Sequence, residues 1–184
     1  MGKTYDSIDA TLAAWIGRCP LFFVATAPLA ADGHVNLSPK GLDSFRILGP
    51  TRVGYLDLTG SGAETLAHLR ENARITFLFC AFEGAPKIVR LYGRGRFVRP
   101  GSTEWDELAP EFPTVHGARS IVTADVTRIA DSCGYGVPRM SFVEDRDTLV
   151  KWAEAKDAET IAAYLAAKNM RSIDGLPALA SDDP

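Results

Sequence analysis

The sequence predicts a mainly β protein with peripheral helices (α+β), in which six antiparallel strands form a barrel. Six segments are apolar or alternate between apolar and polar residues, as strands do. Two joins between them, "PLAADG" and "EGAP", are short and rich in turn residues, which favours antiparallel hairpins. Gly93 and Gly95 lie on one face of the fifth strand, where a missing side chain permits a tight bend. Closing such a sheet removes the exposed edges that an open sheet must protect.

The elements follow one another in a single predicted domain that comprises residues 1–184. A first helix is predicted over Ser7–Gly17 from an apolar stripe at helical spacing, within an N-terminal segment of residues 1–20. The barrel occupies residues 21–130, and a C-terminal helical segment with a docking tail occupies 131–184. The predicted strands are Leu21–Ala27, His34–Ser38, Arg52–Leu58, Arg74–Phe82, Lys87–Arg99 and Arg119–Ile129. Further helices are predicted at Ser61–Asn72, at Ser102–Leu108 and from about Asp145 to Lys168, with a break near Asp157.

Composition excludes several classes of partner. The 184 residues carry a net charge of −3, so we expect no nucleic acid partner. No apolar stretch reaches the roughly 20 residues of a membrane helix, and the N-terminus lacks the apolar core of a secretory signal. Cys19, Cys80 and Cys133 are odd in number and widely spaced, which argues against disulfides and against a zinc site. We therefore expect a cytoplasmic protein without membrane partners or a metal.

The segment "YLDLTGSGAETLAHLREN" predicts a strand that runs through a glycine-containing loop into a helix. Ser61 and Glu64 have capping-box spacing, so Ser61 is predicted to cap the helix. Backbone N–H groups around Gly60, the helix dipole and the hydroxyls of Thr59 and Thr65 favour a phosphate there. The alternative is a well-capped helix with a flexible entry loop, and on this segment alone that interpretation is the stronger one. The segment matches neither the Walker nor the dinucleotide pattern.

Two further segments carry polar groups on one face of a strand. In "HVNLSPKG", Asn36, Ser38 and Lys40 are predicted at the mouth of a pocket, where they would offer donors to an anion or a polar heterocycle. The alternative is that they face solvent. In "KIVRLYGRGRFVR", Arg90 begins a row of outward-facing arginines that could hold a phosphate or carboxylate. For any single arginine of this row, a solvated position or a salt bridge is the better interpretation.

The C-terminal part contains weaker candidates. Cys133 lies in a glycine-rich turn without a nearby base, so we expect a small buried residue rather than a nucleophile. His34 is predicted to be structural or solvated. The tail segment "RSIDGLP" combines apolar residues with an Asp-Gly turn, which predicts that it docks on the protein and places Arg171 and Asp174 at a cleft edge.

Together these pieces resemble a known family. The order of "VNLSPKG", "YLDLTGSGAETLAHLRENARITFLFCAF", "KIVRLYGRGRFV", "SCGYGVP" and "RSIDGLP" is similar to that in the pyridoxamine 5'-phosphate oxidase-related flavoproteins, the FMN-binding split-barrel family. In particular it resembles the branch of uncharacterised oxidases, over nearly the whole chain. The resemblance implies that the barrel is a six-stranded antiparallel split barrel of the FMN-binding type. It also implies that FMN is the cofactor and lies at the interface of a homodimer.

The resemblance also implies which residues bind FMN. The phosphate would be held by Asn36, Ser38 and Lys40, together with the loop and helix residues Thr59, Gly60, Ser61 and Thr65. Arg90 would approach the cofactor, and Arg139 and Arg171 would reach the flavin of a partner subunit. True pyridoxamine phosphate oxidases carry an arginine early in the second strand and an Arg-Lys pair that opens the helix. This chain has Val35-Asn36 and Glu64-Thr65 near those places.

The function implied is that of an FMN-dependent oxidoreductase acting on an unidentified small molecule. No catalytic side chain is identified, since the flavin itself carries the hydride chemistry. Three alternatives remain open at this point. They are a genuine pyridoxamine 5'-phosphate oxidase, a non-catalytic protein that binds flavin, deazaflavin or haem, and an interaction module that has lost its cofactor.

Overall fold

The computed structural model describes residues 2–180, and most of them belong to one antiparallel sheet. Met1 and residues 181–184 lie outside the described residues, so the ends of the predicted domain and of the predicted tail are not covered. The strands are β1 (Thr4–Tyr5), β2 (Phe22–Thr26), β3 (Asn36–Lys40), β4 (Phe45–Gly49), β5 (Arg52–Leu58), β6 (Arg74–Cys80), β7 (Ile88–Val98) and β8 (Ala118–Ser132). The helices are α1 (Ala10–Ile16), α2 (Glu64–Asn72), α3 (Thr103–Leu108), α4 (Thr148–Glu154) and α5 (Ala158–Lys168). A 3-10 turn at Ala109–Glu111 follows α3.

The sheet order is β3-β2-β6-β7-β8-β5-β4, and β1 pairs with β8. The two ends of this order approach each other through side chains, because the rings of Phe22 on β2 and Phe45 on β4 lie 5.1 Å apart. Tyr55, Phe77 and Phe79 complete an aromatic core inside the curved sheet. The predicted class, mainly antiparallel β with a few helices in a split barrel, is therefore confirmed.

The number of strands was predicted wrongly, because the described residues form a sheet of eight strands instead of six. β1 contains only two residues, too few for a periodic pattern. β4, "FRILG", is half-buried throughout, so it lacks the alternation that marks a strand. β3 lies two residues later than predicted and includes Pro39, which an edge strand tolerates because its N–H side needs no partner.

The glycine prediction for the fifth strand, now β7, is confirmed. A Cβ at Gly93 would lie 2.5 Å from the backbone oxygen of Asp125 on β8, where the register shifts. A Cβ at Gly95 would lie 2.9 Å from the side chain of Leu69 on α2. The missing side chains thus let β8 and α2 approach β7 closely.

The helices pack around this sheet largely as predicted. The break near Asp157 is confirmed, since the Asp157 carboxylate caps α5 by accepting from Thr160 N at 2.8 Å. Beyond α5 the chain forms a tail, residues 169–180, in which Ala178 and Leu179 are buried in the core. Within residues 2–180, none of the helices is both long and apolar enough to cross a bilayer.

Candidate functional site

The loop between β5 and α2 leads into the helix without a side-chain N-cap. The helix begins at Glu64, its N-cap residue Ala63 makes no side-chain cap hydrogen bond, and Ser61 is exposed. The prediction that Ser61 caps the helix is therefore wrong. The N-cap position falls at Ala63, two residues later than the capping box requires, since Ala63 itself has non-helical angles of φ −133° and ψ 22°.

Within the described chain, the backbone N–H groups of this loop have no hydrogen-bond acceptor. Among the described residues, no hydrogen bond is donated by the backbone N–H groups from Gly60 to Leu66. Ala63, Thr65 and Leu66 are buried, where an unpaired N–H costs free energy. These groups lie at the positive end of the α2 dipole, so the arrangement suits an anion.

The inner side of the same loop is held by a buried charged network. Arg119 donates from Nη1 to the carbonyl of Gly62 at 2.7 Å and from Nε to Asp57 Oδ2 at 2.8 Å. Arg119 Nη1 also donates to Asn169 Oδ1 at 2.9 Å, and Asn169 Nδ2 donates to the carbonyl of Gly60 at 3.0 Å. The loop is therefore fixed to β8 and to the tail through its carbonyl groups.

The electrostatics of Asp57 follow from this network. Burial raises the pKa of Asp57, but the cations of Arg119 and Lys40 and the hydrogen bonds from Arg119 and Ser120 outweigh it. The pKa accordingly lies below its ordinary value. Asp57 Oδ1 has no hydrogen-bond partner among the described residues, and the Lys40 ammonium lies 3.5 Å from it. Lys40 thus brings a partly exposed positive charge from the end of β3 toward the end of β5.

A second polar cluster lies inside the sheet, beneath β2 and β3. Asn36 Nδ2 donates to Thr65 Oγ1 at 3.0 Å and to Thr26 Oγ1 at 3.1 Å, and Asn36 Oδ1 accepts from Ser38 Oγ at 3.0 Å. His68 Nδ1 lies 2.9 Å from Thr26 Oγ1. The structure therefore brings Asn36, Ser38 and Thr65 together, as the sequence predicts, with their hydrogen bonds made among themselves.

The other predicted residues lie apart from these clusters. Thr59 donates its N–H and its hydroxyl to the carbonyl of Gly117, at 3.0 and 2.8 Å. Arg90 donates to Ser132 Oγ at 3.1 Å, and Arg171 closes a tail turn on the carbonyl of Gly175 at 2.8 Å. Arg139 is exposed in the irregular stretch between β8 and α4. As far as the described chain shows, none of these three arginines is hydrogen-bonded to residues 59–65.

The tail docks as predicted. Asp174 accepts from the backbone N–H of His34 at 2.8 Å and lies 2.6 Å from His34 Nδ1. The hydrogen bond to Asp174 raises the pKa of the exposed His34, followed by the charge of the same carboxylate. His34 thus has a structural role in holding the tail. The prediction that Cys133 is buried is wrong, because its turn lies on the surface and leaves the thiol exposed.

A cleft of about 900 Å³ opens beside the loop. Thr59, Gly60 and Ser61 form one wall. The lining also includes residues 140–146 together with Trp152 of α4 and Tyr164 of α5, whose rings lie 5.0 Å apart. The volume and the mixture of apolar walls with a few polar groups are typical of cofactor sites.

Sequence reasoning missed three residues of the network: Asp57, Arg119 and Asn169. Asp57 carried a usable signal, since an acidic residue within the apolar strand "YLDL" requires a buried partner. Arg119 and Asn169 carried none, because their sequence separation from the loop hides the contact.

Comparisons with known proteins find similar sequences and similar structures, and both agree with the fold. A family model described as pyridoxamine 5'-phosphate oxidase matches residues 8–133. The pyridoxamine 5'-phosphate oxidase family protein ustO of Aspergillus flavus is 38% identical over 201 residues, covering 96% of this chain and 78% of that protein. Crystal structures of tagged HupZ from Group A Streptococcus and of a histidine-to-alanine variant superpose with TM-scores of 0.51 and 0.54, at 20% and 19% identity. They cover 66% and 68% of this chain and 91% and 99% of HupZ, so they share its fold.

Proposed function

The chain belongs to the pyridoxamine 5'-phosphate oxidase family, and on that premise we propose that it is an FMN-dependent oxidoreductase acting on a small molecule yet to be identified. The observation that carries the proposal is a run of backbone N–H groups, from Gly60 to Leu66, that find no partner within residues 2–180 and lie beside a cleft of about 900 Å³. A phosphate monoester would satisfy those groups, and the cleft has room for a flavin ring system.

The residues present fit FMN. Gly60, Ser61 and the first turn of α2 would hold the phosphate, with the Lys40 ammonium supplying positive charge nearby. Phe142 and Trp152, which also line the cleft, would cover the cofactor and limit access of water. When bound, the flavin supplies hydride transfer, and the protein binds, orients and shields it.

The second polar cluster has a supporting role in this proposal. Asn36 donates to the hydroxyl of Thr65 in the first turn of α2, and Ser38 orients the Asn36 amide by donating to its Oδ1, so the two residues fix the helix start that faces the phosphate. The hydroxyl of Thr59 does the same for the start of the loop by bonding to Gly117. Arg90, Arg139 and Arg171 remain proposed cofactor contacts, the last two from a partner subunit.

The cation that true pyridoxamine phosphate oxidases carry at the start of this helix is missing here. Glu64 stands near the position of their Arg-Lys pair, and its Oε2 accepts from Ile173 N at 3.1 Å, so it holds the tail and adds no positive charge to the phosphate site. The residues that bind the vitamin B6 substrate in those enzymes are also not recognisable near the C-terminus. We therefore expect no oxygen-dependent conversion of pyridoxamine phosphate, and turnover of that compound would identify the protein as a genuine pyridoxamine 5'-phosphate oxidase.

The proposal includes a homodimer with FMN at its interface. Leu37 on the outer face of β3 and Val35 directly before β3 are 64% and 72% exposed, beside the half-buried Phe23 on β2 and Leu78 on β6. An apolar sheet face of this kind is typical of protein interfaces. A two-fold dimer is the commonest way to cover such a face.

We place this protein as one domain in the cytoplasm. A single cluster of buried residues draws on α1, α2, most of the strands and the tail, which supports one folding unit. The three cysteines are free thiols, which supports a reducing compartment.

Identification of the bound molecule tests the proposal. Purified protein is denatured by heat, and the released small molecule is identified by its absorption spectrum and by mass spectrometry. The proposal predicts FMN, or binding of FMN by protein purified without it. Colourless protein that acquires no flavin spectrum on titration with FMN would refute it. Enzyme and carrier differ in a further respect, because only an enzyme reoxidises its reduced flavin with an acceptor faster than free flavin does.

A further inference from the structure

Two buried side chains hold the inner side of the loop between β5 and α2. Arg119 is 6% exposed and Asn169 is fully buried. Arg119 donates to the carbonyl of Gly62 at 2.7 Å, and Asn169 donates to the carbonyl of Gly60 at 3.0 Å. Both carbonyl groups therefore point toward the protein interior.

The direction of these carbonyls fixes the direction of the following N–H groups. In a planar trans peptide the C=O of one residue and the N–H of the next point in opposite directions, and residues 2–180 contain no cis peptide. The anchored Gly60 carbonyl turns the Ser61 N–H away from Asn169. The anchored Gly62 carbonyl likewise turns the Ala63 N–H away from Arg119. Both N–H groups lack a partner among the described residues, and Ser61 lines the cleft.

We propose that Arg119 and Asn169 are positioning residues of the phosphate site, which aim the N–H groups of Ser61 and Ala63 at the cofactor phosphate and thereby select FMN over riboflavin. This inference rests on the proposed function. Neither side chain touches the phosphate, because each acts through a loop carbonyl.

The network has the rigidity that such a role requires. Asp57 fixes the guanidinium through Nε at 2.8 Å, and Asn169 Oδ1 accepts from the same guanidinium at 2.9 Å. One planar guanidinium serves these three acceptors in a rigid, coplanar arrangement, whereas the three donors of an ammonium group rotate and are not held in one plane. Because Asp57 balances the charge of Arg119, the ion pair adds little net charge to the phosphate site. Its main contribution is to fix the direction of the Gly62 carbonyl. The Lys40 ammonium, partly exposed and 3.5 Å from Asp57 Oδ1, supplies the remaining positive charge of this network.

Asn169 links the phosphate loop to the C-terminal tail. Asn169 directly follows α5 and begins the tail, while Gly60 and Gly62 precede α2. The orientation of the phosphate loop therefore depends on a correctly docked C-terminal segment. A change that loosens the tail should weaken FMN binding from a distance.

Asn169→Ala tests the inference through two ligands that differ only in the phosphate. We expect its Kd for FMN to rise by about tenfold or more, as expected for loss of one or two oriented hydrogen bonds, while its Kd for riboflavin stays close to that of the wild type. Asn72→Ala is the matched control, because Asn72 Nδ2 holds the carbonyl of Ala27 at 2.9 Å, away from the loop. It should change neither affinity.

The other outcomes separate the inference from the proposed function. An equal loss of FMN and riboflavin affinity in Asn169→Ala would overturn the positioning role, since general loosening does not depend on the phosphate. Wild-type protein that binds both flavins equally would also overturn it, while leaving flavin binding intact. Wild-type protein that binds neither flavin would refute the proposed function itself.

Two measurements keep the inference testable if Asn169→Ala does not fold. Arg119→Lys retains a buried cation beside Asp57 but cannot serve the same acceptors, and it should show the same FMN-selective loss. In the wild type, FMN should slow hydrogen exchange at the amides of Ser61 and Ala63, whereas riboflavin should not. Equal protection by both flavins would contradict the role assigned to the loop.

Discussion

At the scale of single residues, the most consequential feature is a carboxylate buried among apolar strands. Asp57 is 1% exposed and is balanced by Arg119 and, at longer range, by Lys40. Removing one member of a buried pair leaves the other charged group without compensation, which costs far more than the pair contributes. The position of the loop that Arg119 binds thus depends on the buried carboxylate of Asp57.

Asp57→Asn should therefore lower the free energy of unfolding by about 3–5 kcal/mol at neutral pH. Because the folded-state pKa of Asp57 is lowered, its contribution is present at neutral pH. That contribution is lost as the pH falls below about 3.9, the ordinary value, and through the folded-state pKa. Urea unfolding at several pH values measures both effects. Asp106→Asn, at an exposed position, should stay within about 0.5 kcal/mol of the wild type, and an equally small loss for Asp57→Asn would contradict the account.

His68 provides a second pH dependence. It is fully buried, and its burial lowers the pKa of the imidazole despite the carboxylates of Glu64 and Glu71, which raise it. The unfolded chain then binds this proton more readily, so the contribution of His68 to stability is present above about pH 6.5 and is lost as the pH falls through the folded-state pKa.

We expect His68→Gln to unfold with a weaker dependence on pH between about 7 and 5 than the wild type, as measured by urea midpoints. His116→Gln retains His68 and should keep the wild-type dependence. Identical pH profiles for His68→Gln and the wild type would show that this histidine does not couple protonation to folding.

At the scale of elements, strands with a clear hydrophobic pattern were predicted from the sequence, and strands without one were missed. β7 is long and largely alternates, and β8 is a long strand with a mainly buried, apolar first half, so their places were predictable. β4 and β1 were not, because a half-buried strand and a two-residue strand have no periodic pattern. The start of α2 was misplaced because Ser61 and Glu64 satisfy the capping-box spacing while the backbone at Ala63 is not yet helical.

The close approach of β8 to Gly93 on β7 predicts a loss of stability when a side chain is added at this position. A Cβ at Gly93 would meet the Asp125 backbone oxygen at 2.5 Å, and a backbone atom in a sheet has little freedom to move. Gly93→Ala should therefore lower the free energy of unfolding by about 1–3 kcal/mol, as overpacking does. Gly136→Ala is the control, because nothing lies within 4 Å of its Cβ position. Equal stability of the two variants in urea would show that β8 relaxes freely.

At the scale of the whole molecule, part of the candidate site was predictable. Asn36, Ser38 and Thr65 lie together, as the family resemblance implies. The roles of Asp57, Arg119 and Asn169 were hidden, because contacts between residues far apart in sequence depend on how the sheet curls and where the tail docks. The free N–H groups were also invisible, since hydrogen bonding by the backbone leaves little trace in residue identity.

The proposed dimer is tested by charging its outer sheet face. Leu37→Arg places a cation where an apolar interface is expected, so it should shift the protein from dimer to monomer in sedimentation velocity at micromolar concentration. A wild type that sediments as a monomer, or a Leu37→Arg variant that remains dimeric, would contradict the interface.

A crystal structure of the protein with FMN tests the central claim most directly. The account predicts phosphate oxygens within about 3 Å of the backbone nitrogens of Ser61 and Ala63, with the carbonyls of Gly60 and Gly62 still bound to Asn169 and Arg119. A phosphate bound elsewhere, with those backbone N–H groups left to solvent, would contradict it.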